Sequence, residues 1–298
     1  MILHVTSGDA NSQKLRAAGV EGEFLSWLDV LHDGPVPEGF DERGLRMIRA
    51  RFISDCGWAP YDVALSGIEQ RDHKLGDWQR DTALWFEPDL FDQLQLLQCL
   101  DRLAGRDAEL SLITVPHAST RNFAEMWNAR TLISPSAISL ATDAWTAFRA
   151  PHPREMERFL ASHDTSQLPD LAPALHRLFE EFPSAVNGLS RTEKDILELV
   201  TSGLGDPKRV FLEQQRREPQ IYLGDAAFWQ IVLRLRPLIK IQGATAPMRG
   251  TLVPGERARE VLLGHASAND ILSIDRWIGG TRLLSGKCVY WDGNRFVD

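Results

Sequence analysis

Short apolar runs alternate with stretches of helical periodicity through the first half of the chain, a rhythm that predicts a parallel α/β sheet. Ile2 to Thr6 reads as a first strand, and Ser7-Gly8-Asp9 hands it to a helix over about 10–18. Phe24 to Leu28 reads as a second strand that runs into the turn-rich "DVLHDGPVPEG". A helical stretch around 41–79 precedes a third strand, Ala83 to Phe86. A helix from Asp89 to Leu103 follows, with apolar residues at Leu90, Leu94, Leu97 and Leu100. Leu110 to Val115 is a fourth strand, ended by Pro116 and His117.

Residues 150–186 read as helical and broken by prolines, and the pattern changes at Gly188. "LSRTEKDILELV" sets Ser190 three residues before Glu193, a capping box ahead of an apolar-periodic helix. A second helix is expected over about 206–217 and a third in "YLGDAAFWQIVLRLRPLI" after Gly224-Asp225. Strands near Leu238 to Ile241 and Thr251 to Val253, a helix at Glu256 to Leu263 and the hairpin-like "GGTRLLSGKCVYWDGNRFV" complete the chain. The expected architecture is a Rossmann-like α/β domain over 1–150, a helical connector over 151–186, and a mainly helical, winged-helix-like domain with a C-terminal β hairpin over 187–298.

Composition narrows the function classes. A chain of 298 residues that is 43% hydrophobic and 25% charged is a folded protein rather than a disordered one. It contains no apolar run long enough to span a bilayer, and "MILHVTSGDA" lacks the form of a signal peptide, so a cytoplasmic, non-membrane protein is expected. Cys56, Cys99 and Cys288 are far apart and fit no metal spacing, so they read as reduced packing residues. The net charge of −8 is uneven: residues 1–186 carry 17 Lys+Arg against 28 Asp+Glu (−11), and residues 187–298 carry 16 against 13 (+3). The acidic half is a poor partner for nucleic acid, whose phosphates need lysine and arginine.

The acids gather at the predicted strand ends, where an open parallel sheet binds its ligands. Asp9 follows the first strand, with Ser7 and Gly8 beside it. Asp29, His32, Asp33 and Gly34 follow the second; Glu87, Asp89, Asp92 and Gln93 the third; His117 the fourth. Carboxylates so placed repel unless a cation, a basic partner, a raised pKa or open water relieves them. Mg²⁺ or Mn²⁺ held by Asp9, Asp29, Glu87 and Asp89 is one solution, with Asp9, Asp29, His32, Glu87, Asp89 and His117 as the candidate catalytic set. A donor-rich small molecule contacting Ser7, Gly8, Asp33, Gly34, Asp92 and Gln93 is another. A plain structural reading stands beside both, in which Asp89 and Asp9 cap helices, the histidines pack, and Gly34-Pro35 sets a turn. Trp27 and Trp85 read as core or pocket-wall aromatics. No GxSxG elbow, phosphate-loop, GxGxxG or HExxH motif is present.

Three ordered motifs, "LHVTSGDANSQKLRAAG", "FLSWLDVLHDGPVP" and "LWFEPDLFDQLQLLQCLDRL", resemble the bacterial family known as domain of unknown function 1835. "LSRTEKDILELV", "YLGDAAFWQIVLRL" and "DRWIGGTRLL" with "YWD" resemble its companion, domain of unknown function 3658. The resemblance covers most of the chain except roughly 120–185. It implies a shared architecture, carries no activity, and transfers to Gly8, Asp9, Asp29, Leu31, Gly34, Pro35, Trp85, Glu87, Asp89, Asp92 and Gln93. The family pattern often has His where this chain has Pro88.

The expected function is therefore the binding, with hydrolysis open, of a small phosphorylated or nucleotide-like ligand at the sheet's C-terminal edge. The rival is a DNA- or protein-binding adapter acting through residues 187–298. DNA is disfavoured because the third helix, "DAAFWQIVLRLR", has little polar surface to read bases. Lys208, Arg209, Arg216 and Arg217 remain as phosphate contacts, or as a solvated face. A second copy of the chain is a further candidate partner. Arg276, Trp277 and Gly279-Gly280 are expected to form a turn that docks the C-terminal hairpin onto the first half and closes its site.

Overall fold

The computed structural model describes residues 1–116, 122–243 and 247–298. Its organising element is a five-stranded, mostly parallel sheet. β1 (Leu3–Ser7) is followed by α1 (Asp9–Ala17) and β2 (Glu23–Trp27), then by the two-residue β3 (Gly34–Pro35). The helical stretch expected around 41–79 is two helices, α2 (Glu42–Asp55) and α3 (Tyr61–Asp77), separated where Gly57 turns left-handed and Pro60 restarts the chain. β4 (Thr82–Phe86), α4 (Leu90–Leu103), β5 (Leu110–Thr114), α5 (Phe123–Asn128), β6 (Thr131–Leu132) and α6 (Pro135–Arg149) complete this part. The strand order is β2-β1-β4-β5-β6, parallel except for the β5–β6 pair. The four longer strands are those the pattern predicts. β3 and β6 carry too few residues to show any alternation.

Alternate residues of each strand face opposite layers. Leu3, Val5, Leu25, Trp27, Leu84 and Phe86 join the main core, whereas Phe24, Ala83, Trp85 and Ile113 pack with Leu15 of α1 and Met126 of α5. α4 lies on the main-core side, packed against β4 and α6, and is buried nearly all round. It buries glutamines as well as leucines because they have partners: Gln98 accepts from Trp27 Nε1 at 2.9 Å, and Gln95 donates to the Asp29 carbonyl at 3.4 Å.

α7 (Arg154–Ser162) and α8 (Leu171–Phe179) lead to α9 (Arg191–Thr201), α10 (Pro207–Arg216) and α11 (Asp225–Arg234). The Ser190–Glu193 capping box is formed in both directions. The antiparallel pair β7 (Ile239–Gln242) and β8 (Thr251–Pro254) follows, then α12 (Ala258–Leu262). The final segment, read as one hairpin, is two: β9 (Asp275–Gly279) with β10 (Thr281–Leu284), and β11 (Tyr290–Trp291) with β12 (Phe296–Val297).

The C-terminal hairpin docks onto the first half at β3 and at the end of α6. β9 pairs in parallel with β3, Ile278 opposite Gly34 and Pro35 opposite Gly279, and Gly280 N donates to the Phe148 carbonyl at 3.0 Å. Gly279 (φ 58°) and Gly280 lie against the backbone of Phe148 and Arg149, where a Cβ has no room. One contiguous core accordingly draws on all three stretches of the chain, from Leu3 through Phe179 to Phe296. No helix among the described residues is long and apolar enough to cross a membrane.

Candidate functional site

The strand order places a topological switch between β1 and β4. From β1 the chain passes by α1 to β2 on one side, and the crossover through α2 and α3 then returns to β4 on the other. A crevice beyond the carboxyl ends of these two strands is where open α/β sheets bind ligands. Thr6 pairs with Trp85, so Ser7-Gly8-Asp9 and Phe86-Glu87-Pro88-Asp89 leave the sheet side by side.

The dense charge of "LWFEPDLFDQLQL" is explained by the β4–α4 turn. Asp89 is the N-cap of α4, its Oδ1 accepting from Asp92 N at 3.0 Å. Asp92 reaches back in turn, Oδ2 accepting from Glu87 N at 2.5 Å, and Gln93 Nε2 donates to the Glu87 carbonyl at 2.9 Å. The first turn of α4 thus grips both backbone groups of Glu87, the residue that follows the strand. Asp92 is 3% exposed. Burial, and then the neighbouring Asp89 carboxylate, push its carboxyl well above the usual carboxylate range, although the Glu87 N–H and the Ser7 hydroxyl bond to it.

On the other wall, Gly8 (φ 81°) precedes α1 with no side chain capping the helix. The nearest atom to an added Cβ would be Leu28 Cδ2 at 3.5 Å, so it is the left-handed backbone rather than crowding that calls for glycine here. Asn11 Nδ2 donates to the Ser7 carbonyl at 3.3 Å and its hydroxyl at 3.4 Å, and Asp9 and Ala10 are exposed.

The residues after β2 point elsewhere, which corrects the single-cluster expectation. Both oxygens of Asp29 are held by Arg49, Oδ1 lying 2.7 Å from Nη2, in a pair whose side chains are at most 1% exposed. Arg49 also donates to the carbonyls of Val30, Asp33 and Pro35, so this one guanidinium fixes the loop. Asp33 accepts from Gly34 N and from Arg234 Nη1, each at 3.0 Å. Burial would raise its pKa, but Arg234, His32 and Arg276 together outweigh that and hold it below the usual range. His32 is buried edge-on between Phe91 and Tyr222, with centroids 5.9 and 5.1 Å away. Gly34 forms β3, and its Cβ position is filled by the Phe52 ring.

Of the four acids read as metal ligands, Asp29 is held by Arg49 and Asp89 caps α4. Among the described residues, no three His, Cys, Asp or Glu side chains form a group that could hold a metal ion. His117 lies outside the described residues.

Sequence reading passed over the basic partners. Arg49 and Arg234 lie distant in sequence from the acids they serve, and the buried Arg177 binds Glu181 one helical turn away as well as the distant Glu218 and Thr192. The only signal for them is the rule that a buried carboxylate requires a counterion.

α11 is buried as its composition indicates, with Phe228 and Val232 fully enclosed. Its polar residues serve the first half: Gln230 donates to the Cys56 carbonyl at 2.9 Å, and Arg234 to Asp33. On α10, Arg216 is paired with Glu213, and Arg217 just beyond the helix with Asp195 and Glu198.

No family model matches the chain, and no curated protein matches it at a significant level.

Proposed function

We propose that the protein binds a small phosphorylated, hydroxyl-bearing ligand of the nucleotide type in the crevice between the carboxyl ends of β1 and β4. The observation that carries this reading is the start of α1. A left-handed Gly8 opens directly into a helix with no side-chain cap, at the switch point of a parallel sheet. The first backbone N–H groups of a helix have no partner within it, and the helix dipole favours negative charge there. A phosphoryl group meets both conditions.

The acidity of the crevice is less hostile to an anion than the sequence suggests. Asp92 is held toward its neutral form, and Asp89 is engaged at the start of α4. The exposed Asp9 is placed to accept from ligand hydroxyls. Ser7 is bonded to Asn11 and to Asp92, whose carboxyl is held toward its neutral form, so the reading is of binding and assigns no turnover.

The test is a thermal-shift panel of nucleoside mono-, di- and triphosphates and inorganic phosphate on wild type, Gly8→Ala and Asp92→Asn. A ligand bound only by the folded state raises the melting temperature. A phosphorylated compound should stabilise wild type and have a much smaller effect on Gly8→Ala. Binding by wild type should weaken as pH rises and Asp92 ionises, whereas Asp92→Asn should keep its affinity. No response to any phosphorylated compound, or an equal response from Gly8→Ala, refutes the proposal.

A further inference from the structure

We infer that a second site, an aromatic cleft between α1 and α5, takes a neutral planar aromatic molecule. It lies away from the crevice and does not depend on it: its walls include Ile2 and His4 at the start of β1, whereas the crevice lies beyond Ser7. Val20, Trp85, Phe123 and Trp127 are further walls, with Glu21 and Ala124 also on the lining, around a volume of about 320 Å³.

Three observations carry the inference. The first is size and place. The space is a cleft open to solvent, with Glu21 and Ala124 exposed on its lining. It falls in the range of small-molecule sites. The nine-residue α1 and six-residue α5 cover this face of the sheet thinly, and Phe123 and Trp127 remain only half-buried.

The second is ring geometry. Trp85 and Trp127 are stacked at 6.1 Å and 21°, Phe123 meets Trp85 edge-on at 6.3 Å and 72°, and His4 meets Trp127 edge-on at 5.8 Å. These are the offset and edge arrangements that aromatic pairs prefer, and another flat ring extends the same pattern.

The third is that the deep polar atoms are already satisfied. Trp85 Nε1 can only donate, so His4 Nδ1 accepts from it at 3.1 Å; the His4 proton is then on Nε2, which donates to the Glu21 carbonyl at 3.2 Å. Burial lowers the His4 pKa and keeps the ring neutral. Charges of both signs stand near the entrance: the exposed Glu21 lines it, Arg130 stacks on Trp127 at 4.4 Å, and Arg16 stacks at 4.3 Å on Phe24, which stacks on His4. The inner walls carry no charge and no unpaired donor on His4 or Trp85, so they suit a neutral ring better than either ion.

The test is calorimetric titration of the full chain with indole as the neutral bicyclic probe, against benzyltrimethylammonium and benzoate as charged ones. Indole should bind saturably at one site, with both charged probes weaker by about tenfold or more. Trp127→Ala removes a stacking wall and should weaken indole by about tenfold. Ala124→Trp, at an exposed position lining the cleft, should fill it and abolish binding while leaving the melting temperature near that of wild type. The inference is overturned by no saturable binding of indole, by equal binding of the ammonium probe, or by indole binding that survives Ala124→Trp.

Discussion

His32→Phe should make the protein more resistant to acid, and the size of the effect follows from the environment of the ring. His32 is 7% exposed, neither ring nitrogen has a hydrogen-bond partner, and a cavity of only about 10 Å³ adjoins it. Asp33 and Glu181 favour its protonation, Arg49 and Arg177 oppose it, and burial exceeds them all, bringing the pKa down to about 4. In the unfolded chain the imidazole returns to about 6.5. Between these values the unfolded state holds a proton that the native state rejects. The stability is therefore fully present above about pH 6.5 and is lost as pH falls toward 4.

Each pKa unit is worth about 1.4 kcal/mol, so the full loss is about 3 kcal/mol, of which about 2 kcal/mol is already gone at about pH 5. Phenylalanine keeps the ring between Phe91 and Tyr222 and removes two unsatisfied nitrogens, so the variant should match or exceed wild type at about pH 7. Urea unfolding followed by tryptophan fluorescence at about pH 7 and pH 5 gives the comparison. The variant's advantage should grow by about 2 kcal/mol on acidification. Other titrating groups are common to both proteins and cancel in the difference. Curves that stay parallel across that interval would refute the account of His32 as a neutral, desolvated base.

Two further perturbations test the junction. Arg49→Met leaves the Asp29 carboxylate buried without its partner and should cost about 3–5 kcal/mol, whereas adding Asp29→Leu should recover much of that loss; urea midpoints of the single and double variants decide it. Gly280→Ala drives a Cβ into the Arg149 carbonyl and should destabilise the fold by several kcal/mol, whereas Gly67→Ala, in open space within α3, should stabilise it by about 0.5–1 kcal/mol; melting temperatures of opposite sign are the expected result.

Much of this architecture is legible in the sequence because periodicity and capping are local. The long strands, α4, and the Ser190 start of α9 are visible in runs of ten residues or so. β3 is not, because Gly34-Pro35 becomes a strand only when β9, some 240 residues later, pairs with it. The same limit divided the expected site. That polar residues follow each strand is a local fact, but whether they face a crevice or an arginine depends on partners that no short window contains. Asp89 and Asp92 are legible as a helix start. The inward turn of Asp29, His32 and Asp33 depends on Arg49, Tyr222 and Arg234, none of which belongs to the motifs that mark the strand ends. Trp85 is correctly read as a wall or core aromatic, but its partner His4 is identified only by the parallel register that sets β1 beside β4.

The uneven charge of the chain now has a structural meaning. The acidic first half does not tolerate its carboxylates through metal or open water alone, since several are neutralised by groups folded onto them. Arg49 serves Asp29 from within that half, and Arg234 from the basic half crosses to Asp33. Arg276, from the same basic half, donates to the Glu181 carbonyl. The C-terminal helices and hairpin therefore complete the electrostatics of the α/β sheet as well as its core. It follows that the crevice between β1 and β4 is less negative than its sequence suggests. The acids of the second strand end are engaged by Arg49 and Arg234, Asp92 is biased toward neutrality, and the uncapped start of α1 is the feature on which the proposed anion site rests.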